Sequence, residues 1–238
     1  MNGYIKLPKT KIIPDSSIKK QQLSDDVWIN YIFYIILKYS STDKTEILNL
    51  IQKELKKEQS RIEEIIKNHI YIWYQKVKKT DKQIGIWRII LKLEPKTDSL
   101  KGYYDLQFLH SDWDKYFAFE AKNLGKIKRM TQSASINEYI YNPTKKDGGM
   151  YRFFTGKYAC DLEFGGMLGF VIGEIKGDIM QEILSRIQDI YSTNSNGKLI
   201  DDKFILNSIS GNKNTLTTIH SRNGKKFKLY HILVYLNI

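Results

Sequence analysis

GYYDLQFLHSDWDKYFAFEAKNL, residues Gly102 to Leu124, is the stretch on which the reading of this chain turns. Apolar residues recur at every second position through Tyr104, Leu106 and Phe108, and again through Phe117, Phe119 and Ala121, with the polar segment His110-Ser111-Asp112-Trp113-Asp114 between them. Two runs of period two around a polar break predict an antiparallel hairpin. With the chain turning at Asp112-Trp113, position i faces position 225 minus i, so Asp105 stands opposite Glu120. Opposite residues project from one face, with Cβ atoms about 5 Å apart. Lys122, two along from Glu120, emerges on that face, while Phe117, Phe119 and Ala121 turn to the other. Two carboxylates and an ammonium on one patch outline a site for a metal ion and a phosphate.

Glu-x-Lys is a short pattern, and the chain holds a second copy: Glu174-Ile175-Lys176 follows Asp161 at nearly the same spacing. For Asp161 to face Glu174, a hairpin would have to turn at Met167-Leu168, inside the apolar run Gly166 to Ile172. That run reads better as one strand covered on both faces. Glu174 and Lys176 then fall in a turn ahead of Asp178, which is placed to cap an amphipathic helix over Ile179 to Tyr191.

Upstream, residues 1–22 carry Pro8 and Pro14 with little periodicity and read as an arm. Ser24, Asp25 and Asp26 suit a helix start, with a capping side chain and acidic residues at the positive end of the dipole. Helices are expected over Val27 to Tyr39, Lys44 to Lys57 and Glu58 to Lys79, and a strand over Ile86 to Leu93. On the third helix His69 reads as a packed structural residue. Glu63 and Glu64 lie at the stripe's edge, where one of them could lean toward the sheet. Downstream come a basic irregular stretch from Gly125, a short helix or turn over Met150 to Ala159, a glycine- and asparagine-rich loop, and a terminal strand pair joined at Asn223-Gly224.

The 238 residues, 42% of them hydrophobic, suffice for a sizeable core. A net charge of +12 favours polyanionic partners, nucleic acid above all. Cys160 is the single cysteine, which excludes an internal disulfide and cysteine-based zinc motifs and fits a reducing compartment. The N-terminal MNGYIKLPKTKIIPDSS lacks the apolar core of a signal peptide. The most apolar run, Val27 to Tyr39, is shorter than the about 20 residues a membrane span needs, and Asn30 and Lys38 interrupt it. The expectation is a cytoplasmic protein with no membrane partner. No glycine-rich phosphate loop or nucleophile elbow supports a small-molecule enzyme.

The order helix, strand, Asp105-bearing strand, Glu120-Ala121-Lys122 strand, helix, strand resembles the PD-(D/E)XK superfamily of restriction-endonuclease-like nucleases. MYRFFTGKYA followed by GGMLGFVIGE looks like the helix and buried fourth strand of bacterial members, and the resemblance covers about Glu58 to Tyr191. One departure is that Tyr104, not proline, precedes Asp105. The resemblance implies an α/β fold, a restriction-endonuclease-like mixed sheet flanked by helices with an N-terminal helical extension. Residues 1–57 would form the arm and helical hairpin, and residues 58–238 the nuclease-like domain. It implies catalysis by Asp105, Glu120 and Lys122. A Mg²⁺ ion, or Mn²⁺, would be held by Asp105, Glu120 and the Ala121 carbonyl. Lys126, Lys128, Arg129, Arg152 and Lys157 become candidates for gripping the backbone of DNA, or less readily RNA. The first helices could touch substrate or mediate a homodimer. The competing expectation is a non-catalytic nucleic-acid-binding or assembly protein on the same fold.

Overall fold

The hairpin forms in the register that its alternation predicts. The computed structural model of the chain describes residues 23–97, 102–206 and 211–236. After β1 (Ile90–Leu93), β2 (Leu106–Leu109) and β3 (Tyr116–Leu124) pair antiparallel, with Leu106 opposite Phe119 and Leu109 opposite Tyr116. In the connection, residues 110–115, Trp113 N donates to His110 O at 3.2 Å.

Among the described residues four helices precede the hairpin: α1 (Asp25–Ser40), α2 (Thr45–Leu55), α3 (Ile62–Thr80) and the short α4 (Lys82–Gly85). Ser24 holds the N-cap position of α1, but its side chain makes no capping bond. Asp25 instead accepts from Trp113 Nε1 at 2.9 Å and Lys115 Nζ at 2.7 Å, fastening α1 to the hairpin. The first strand is shorter than the expected Ile86 to Leu93. Asp81 accepts from Gln83 N and Ile84 N and starts a helical turn, whose carbonyls at Gln83 and Ile84 accept from Tyr31 Oη of α1. Within the expected strand, Ile86 N and Arg88 N donate back to Lys82 O and Gly85 O, and Ile89 O accepts from Tyr74 Oη, so these groups do not join a ladder.

Beyond β3 come α5 (Gln132–Tyr139), α6 (Gly149–Phe154), β4 (Phe164–Ile172), α7 (Ile179–Tyr191), β5 (Lys198–Leu206), β6 (Thr215–Arg222) and β7 (Lys225–Leu236). Among the described residues they complete a seven-stranded sheet in the order β1-β2-β3-β4-β7-β6-β5. β3, β4 and β7 run parallel at its centre, with antiparallel strands on both flanks. Every residue of β4 is buried, as expected for a strand covered on both faces. Asp178 caps α7 by accepting from Met180 N and Gln181 N. Asn223 and Gly224 both take positive φ, the backbone of a tight hairpin turn between β6 and β7.

Adjacent residues of β7 show which helices cover which face. Tyr230 packs on Phe33 of α1, with centroids 5.0 Å apart, and Phe33 also meets Phe117 at 5.3 Å. His231 points the other way, to Tyr139 of α5, while Phe154 of α6 and Tyr191 of α7 pack on His220. The fold is α/β, a mixed sheet between helices. Residues of α1 and α2 belong to the same core cluster as the sheet, so the boundary expected at residue 57 does not separate two cores. The stretch expected to be an N-terminal arm, residues 1–22, lies outside the described residues, as do 98–101, 207–210 and 237–238. No helix among the described residues is long and apolar enough to cross a membrane.

Candidate active site

Asp105 directly precedes β2, one residue before the Leu106–Phe119 pair, and Glu120 follows Phe119 in the middle of β3. β2 is too short to pair with the second half of β3, and the Asp105 side chain takes over: its Oδ2 accepts from Ala121 N at 2.6 Å. Asp105 N donates to Phe119 O at 3.1 Å, so backbone and side chain both tie this residue to β3. Glu120 is 1% exposed, and its Oε1 accepts from Lys122 Nζ and from Arg152 Nη1 of α6, each at 2.7 Å. Lys122 Nζ also donates to Ala121 O at 2.8 Å. Asp105, Glu120 and Lys122 are thus brought together as the register requires, with the Ala121 carbonyl beside them.

The helices supply what the hairpin cannot. Beside the half of β3 that β2 does not reach lies the first turn of α3, where Glu63 Oε1 stands 3.8 Å from both Lys122 Nζ and Lys67 Nζ. Glu64 is half exposed, so Glu63 is the helix glutamate that joins the site. Lys67 Nζ donates to Asp105 Oδ1 at 2.6 Å and to Glu94 Oε1, just past β1, at 2.9 Å. On the other side Asp147 grips Arg152 through Nε and Nη2, at 3.0 and 2.8 Å, and Tyr158 Oη accepts from Arg152 Nη1 at 3.3 Å. Gly149 lets α6 begin this close to the strand, since a Cβ there would lie 2.8 Å from Tyr139 O and 3.3 Å from Glu120 Cγ.

Charges therefore alternate across the site, with five carboxylates (Glu63, Glu94, Asp105, Glu120, Asp147) around three cations (Lys67, Lys122, Arg152). The inner six groups pair off, three carboxylates with three cations, while Glu94 and Asp147 at the edges are partly open to solvent. Burial pushes Glu120 up to about 7, with Lys122 opposing and Asp105 adding to the rise. Burial likewise raises Glu63 against the pull of Lys122. Burial works against the Lys122 ammonium, but Glu120, Glu63 and Asp105 outweigh it and hold the amine protonated.

The other predicted contacts fall elsewhere. Lys126, Lys128 and Arg129 are exposed in the turn past β3. Lys126 pairs with Glu174 at 3.2 Å, and Lys128 Nζ donates to Lys57 O. Lys157 is partly buried against Gly102. Arg152, expected on display, is instead built into the site. The second motif copy disperses: Glu174 lies beyond the end of β4 in an exposed pair, and Asp161 is in a turn. His69 is structural as expected, its Nδ1 3.0 Å from Tyr39 Oη. Lys67 was overlooked in the sequence, although Glu63, Lys67, Ile70 and Tyr74 recur at helical spacing, which sets a lysine on an otherwise buried stripe.

Among the described residues no three acidic, histidine or cysteine side chains converge closely enough to hold a metal ion by themselves. The donors that do suit a hard cation are two carboxylates and a main-chain carbonyl, a set Mg²⁺ accepts because it keeps several waters. Both Glu120 contacts land on Oε1, and each Asp105 oxygen accepts one donor and retains capacity for another. Comparison with protein-family models, curated proteins and solved structures finds no match.

Proposed function

We propose that this chain is a metal-dependent nuclease that hydrolyses phosphodiester bonds in DNA, of the restriction or phage-defence kind, on a restriction-endonuclease-like sheet. The observation that carries the reading is the convergence of Asp105, Glu120 and Lys122 on one buried face, with the Ala121 carbonyl beside them. Asp105, Glu120 and the Ala121 carbonyl would hold Mg²⁺ or Mn²⁺, which when bound would supply charge to polarise the scissile phosphate and to lower the pKa of an attacking water. Lys122, kept protonated between Glu120 and Glu63, offsets the negative charge that develops on the phosphate. Arg152, pinned by Asp147, holds the Glu120 carboxylate in one orientation. The exposed Lys126, Lys128 and Arg129 suit phosphate contacts outside the site.

A second reading, a nucleic-acid-binding protein without catalysis, is favoured by one observation: Asp105 and Glu120 already hold side-chain cations. Incubation of the purified chain with plasmid, linear and single-stranded DNA and RNA, in Mg²⁺, Mn²⁺ or EDTA, separates the two. Metal-dependent cleavage is expected, and Asp105→Ala and Lys122→Ala should each reduce it on the order of 10²- to 10³-fold or more. Cleavage unaltered in both variants removes the site assignment. Binding without cleavage under any metal selects the second reading.

A further inference from the structure

The chain between α5 and α6 helps to build a recess next to the candidate active site. A cavity of about 440 Å³ is lined by Asn137 of α5, Tyr141 of the following loop, Arg186 and Ile190 of α7, and Thr193 and Asn194 past its end. That volume lies within the about 300–1,000 Å³ typical of small-ligand sites. Tyr141 packs against Tyr151 of α6 with ring centroids 4.9 Å apart, and both side chains are partly open to solvent. Arg186 Nη2 donates to Ser133 Oγ at 3.5 Å, and the guanidinium makes no ion pair among the described residues. Tyr191, next to Ile190, buries a hydroxyl that has no hydrogen-bond partner. Burial, and then the nearby Tyr151 and Tyr141 phenols, raise its pKa, so this hydroxyl belongs with the tyrosine pair. An orphaned buried donor costs stability, and a polar ligand beside it would account for its retention.

We propose that this cavity takes one unpaired nucleobase of the strand being cut, stacked on Tyr141, so that the substrate is single-stranded or locally unpaired DNA. The proposal rests on the nuclease reading for the phosphate at Glu120. Two successive glycines bring the places together: a Cβ on Gly148 would lie 2.7 Å from Tyr141 Cα, and one on Gly149 would lie 3.3 Å from Glu120 Cγ. A strand with its phosphate at Glu120 therefore runs past the cavity. The lining matches a base in kind. A tyrosine ring offers a stacking face that any base accepts, the Asn137 and Asn194 amides each carry donors and an acceptor for a base edge, and a guanidinium without a carboxylate is free for a phosphate or a ring face. The loop is set before any ligand arrives, since Asn142 Oδ1 accepts from Thr144 N and Lys145 N while Asn142 N donates to Asp147 O at 2.6 Å. Bases inside a duplex are stacked on their neighbours and cannot present a face to Tyr141, which is why the cavity selects an unpaired one.

The test compares single-stranded and duplex oligodeoxynucleotides of one sequence, substituted with bromodeoxyuridine. Binding to the full chain is measured by fluorescence anisotropy in EDTA and in Ca²⁺, beside the Mg²⁺ cleavage assay, and ultraviolet crosslinks are mapped by mass spectrometry. The single strand is expected to bind about tenfold or more tighter than the duplex, with crosslinks on Tyr141 or Tyr151. Tyr141→Ala should weaken single-strand binding on the order of 10-fold or more and leave duplex binding unchanged, while Tyr141→Phe keeps the ring and the affinity. Thr193 is exposed, so Thr193→Trp fills the mouth of the cavity without entering the core and should match Tyr141→Ala. Where Tyr141→Ala loses its circular-dichroism spectrum, Thr193→Trp and the crosslinks decide. Equal affinity for the two forms, single-strand binding that Thr193→Trp does not weaken, or crosslinks confined to other surfaces each overturn the base site, while metal-dependent cleavage by wild type leaves the nuclease reading standing. A wild-type chain that neither binds nor cleaves any of these DNAs overturns both.

Discussion

Two buried polar networks lie against this sheet, and they differ in kind. One is ionic, the alternating carboxylates and cations from Glu94 to Asp147. The other is neutral and directional. His220 Nδ1 lies 2.7 Å from Gly197 O, and a carbonyl can only accept, so Nδ1 carries the proton and Nε2 accepts from the Thr218 hydroxyl at 2.8 Å. Thr218 Oγ1 then accepts from His231 Nε2 at 3.1 Å, and His231 Nδ1 accepts from Tyr139 Oη at 3.1 Å. One proton arrangement satisfies every partner. Burial pushes His220 down to about 4 and His231 to about 3, so both rings are neutral. The neutral network is complete and asks for no ligand. The ionic one gathers charged groups in a buried place, where charge costs stability unless it is paired or function retains it.

Deleting one partner in each network gives the largest contrast. Arg152→Met leaves Glu120 with Lys122 alone and strips Asp147 of its bidentate partner. Removing one member of a buried ion pair costs about 3–5 kcal/mol, and the low end applies because Arg152 keeps a quarter of its surface in solvent. Divalent cation should recover part of that loss. Thr218→Val keeps the shape but removes the hydroxyl between two rings, for about 1–3 kcal/mol and with no response to metal. Urea unfolding with and without Mn²⁺ measures both, and equal metal responses in the two variants would erase the distinction.

The same contrast has a pH signature of opposite sign. Glu120 has its folded pKa raised, so its contribution is whole below about 4.5 and lost as pH rises through about 7. The histidines have theirs depressed, so the unfolded chain takes up protons that the folded chain refuses, and stability falls as pH drops from about 6.5 toward 3. A tenfold difference in proton affinity between folded and unfolded chains is worth about 1.4 kcal/mol, so Glu120→Gln should gain on wild type by about 3 kcal/mol between pH 4.5 and pH 8 in EDTA. The acid-side loss should be common to both chains. A wild-type-to-variant difference that stays flat with pH would mean that Glu120 does not titrate as its burial demands.

How legible each network was in the sequence follows from its range. The hairpin declared itself because alternation and turn lie within one short stretch, and register then placed Asp105, Glu120 and Lys122 together without further information. Rejection of the Asp161 copy used the same logic, since β4 is one unbroken buried strand. Glu63, Lys67 and Asp147 reach the site through helix docking and loop direction, which local periodicity does not encode. Arg152 was visible as a basic residue, but not that a carboxylate in the preceding loop would turn it inward. β5 escaped because Asp201-Asp202-Lys203 interrupts its apolar pattern, at the point where its register shifts against β6. The histidine network needed β6, β7, α5 and the loop before β5 assembled together.

The smallest effect is expected where ionic chemistry stands without burial. Lys126 and Glu174 form a pair at 3.2 Å with both side chains about 60% exposed, and such pairs contribute under about 0.5 kcal/mol because water and salt screen them. Lys126→Ala should therefore leave the unfolding free energy unchanged within that margin. If the exposed basic turn meets nucleic acid, the same substitution weakens binding alike across sequences and lowers the salt-dependence slope by about one for a lost phosphate contact. Lys126→Ala thus separates two uses of charge: stability should not register it, and binding measured at several salt concentrations should. A stability loss as large as that of Arg152→Met would show that ion pairing, and not its burial, sets the energetics of the ionic network. An unchanged salt slope would move the nucleic-acid contact off this turn.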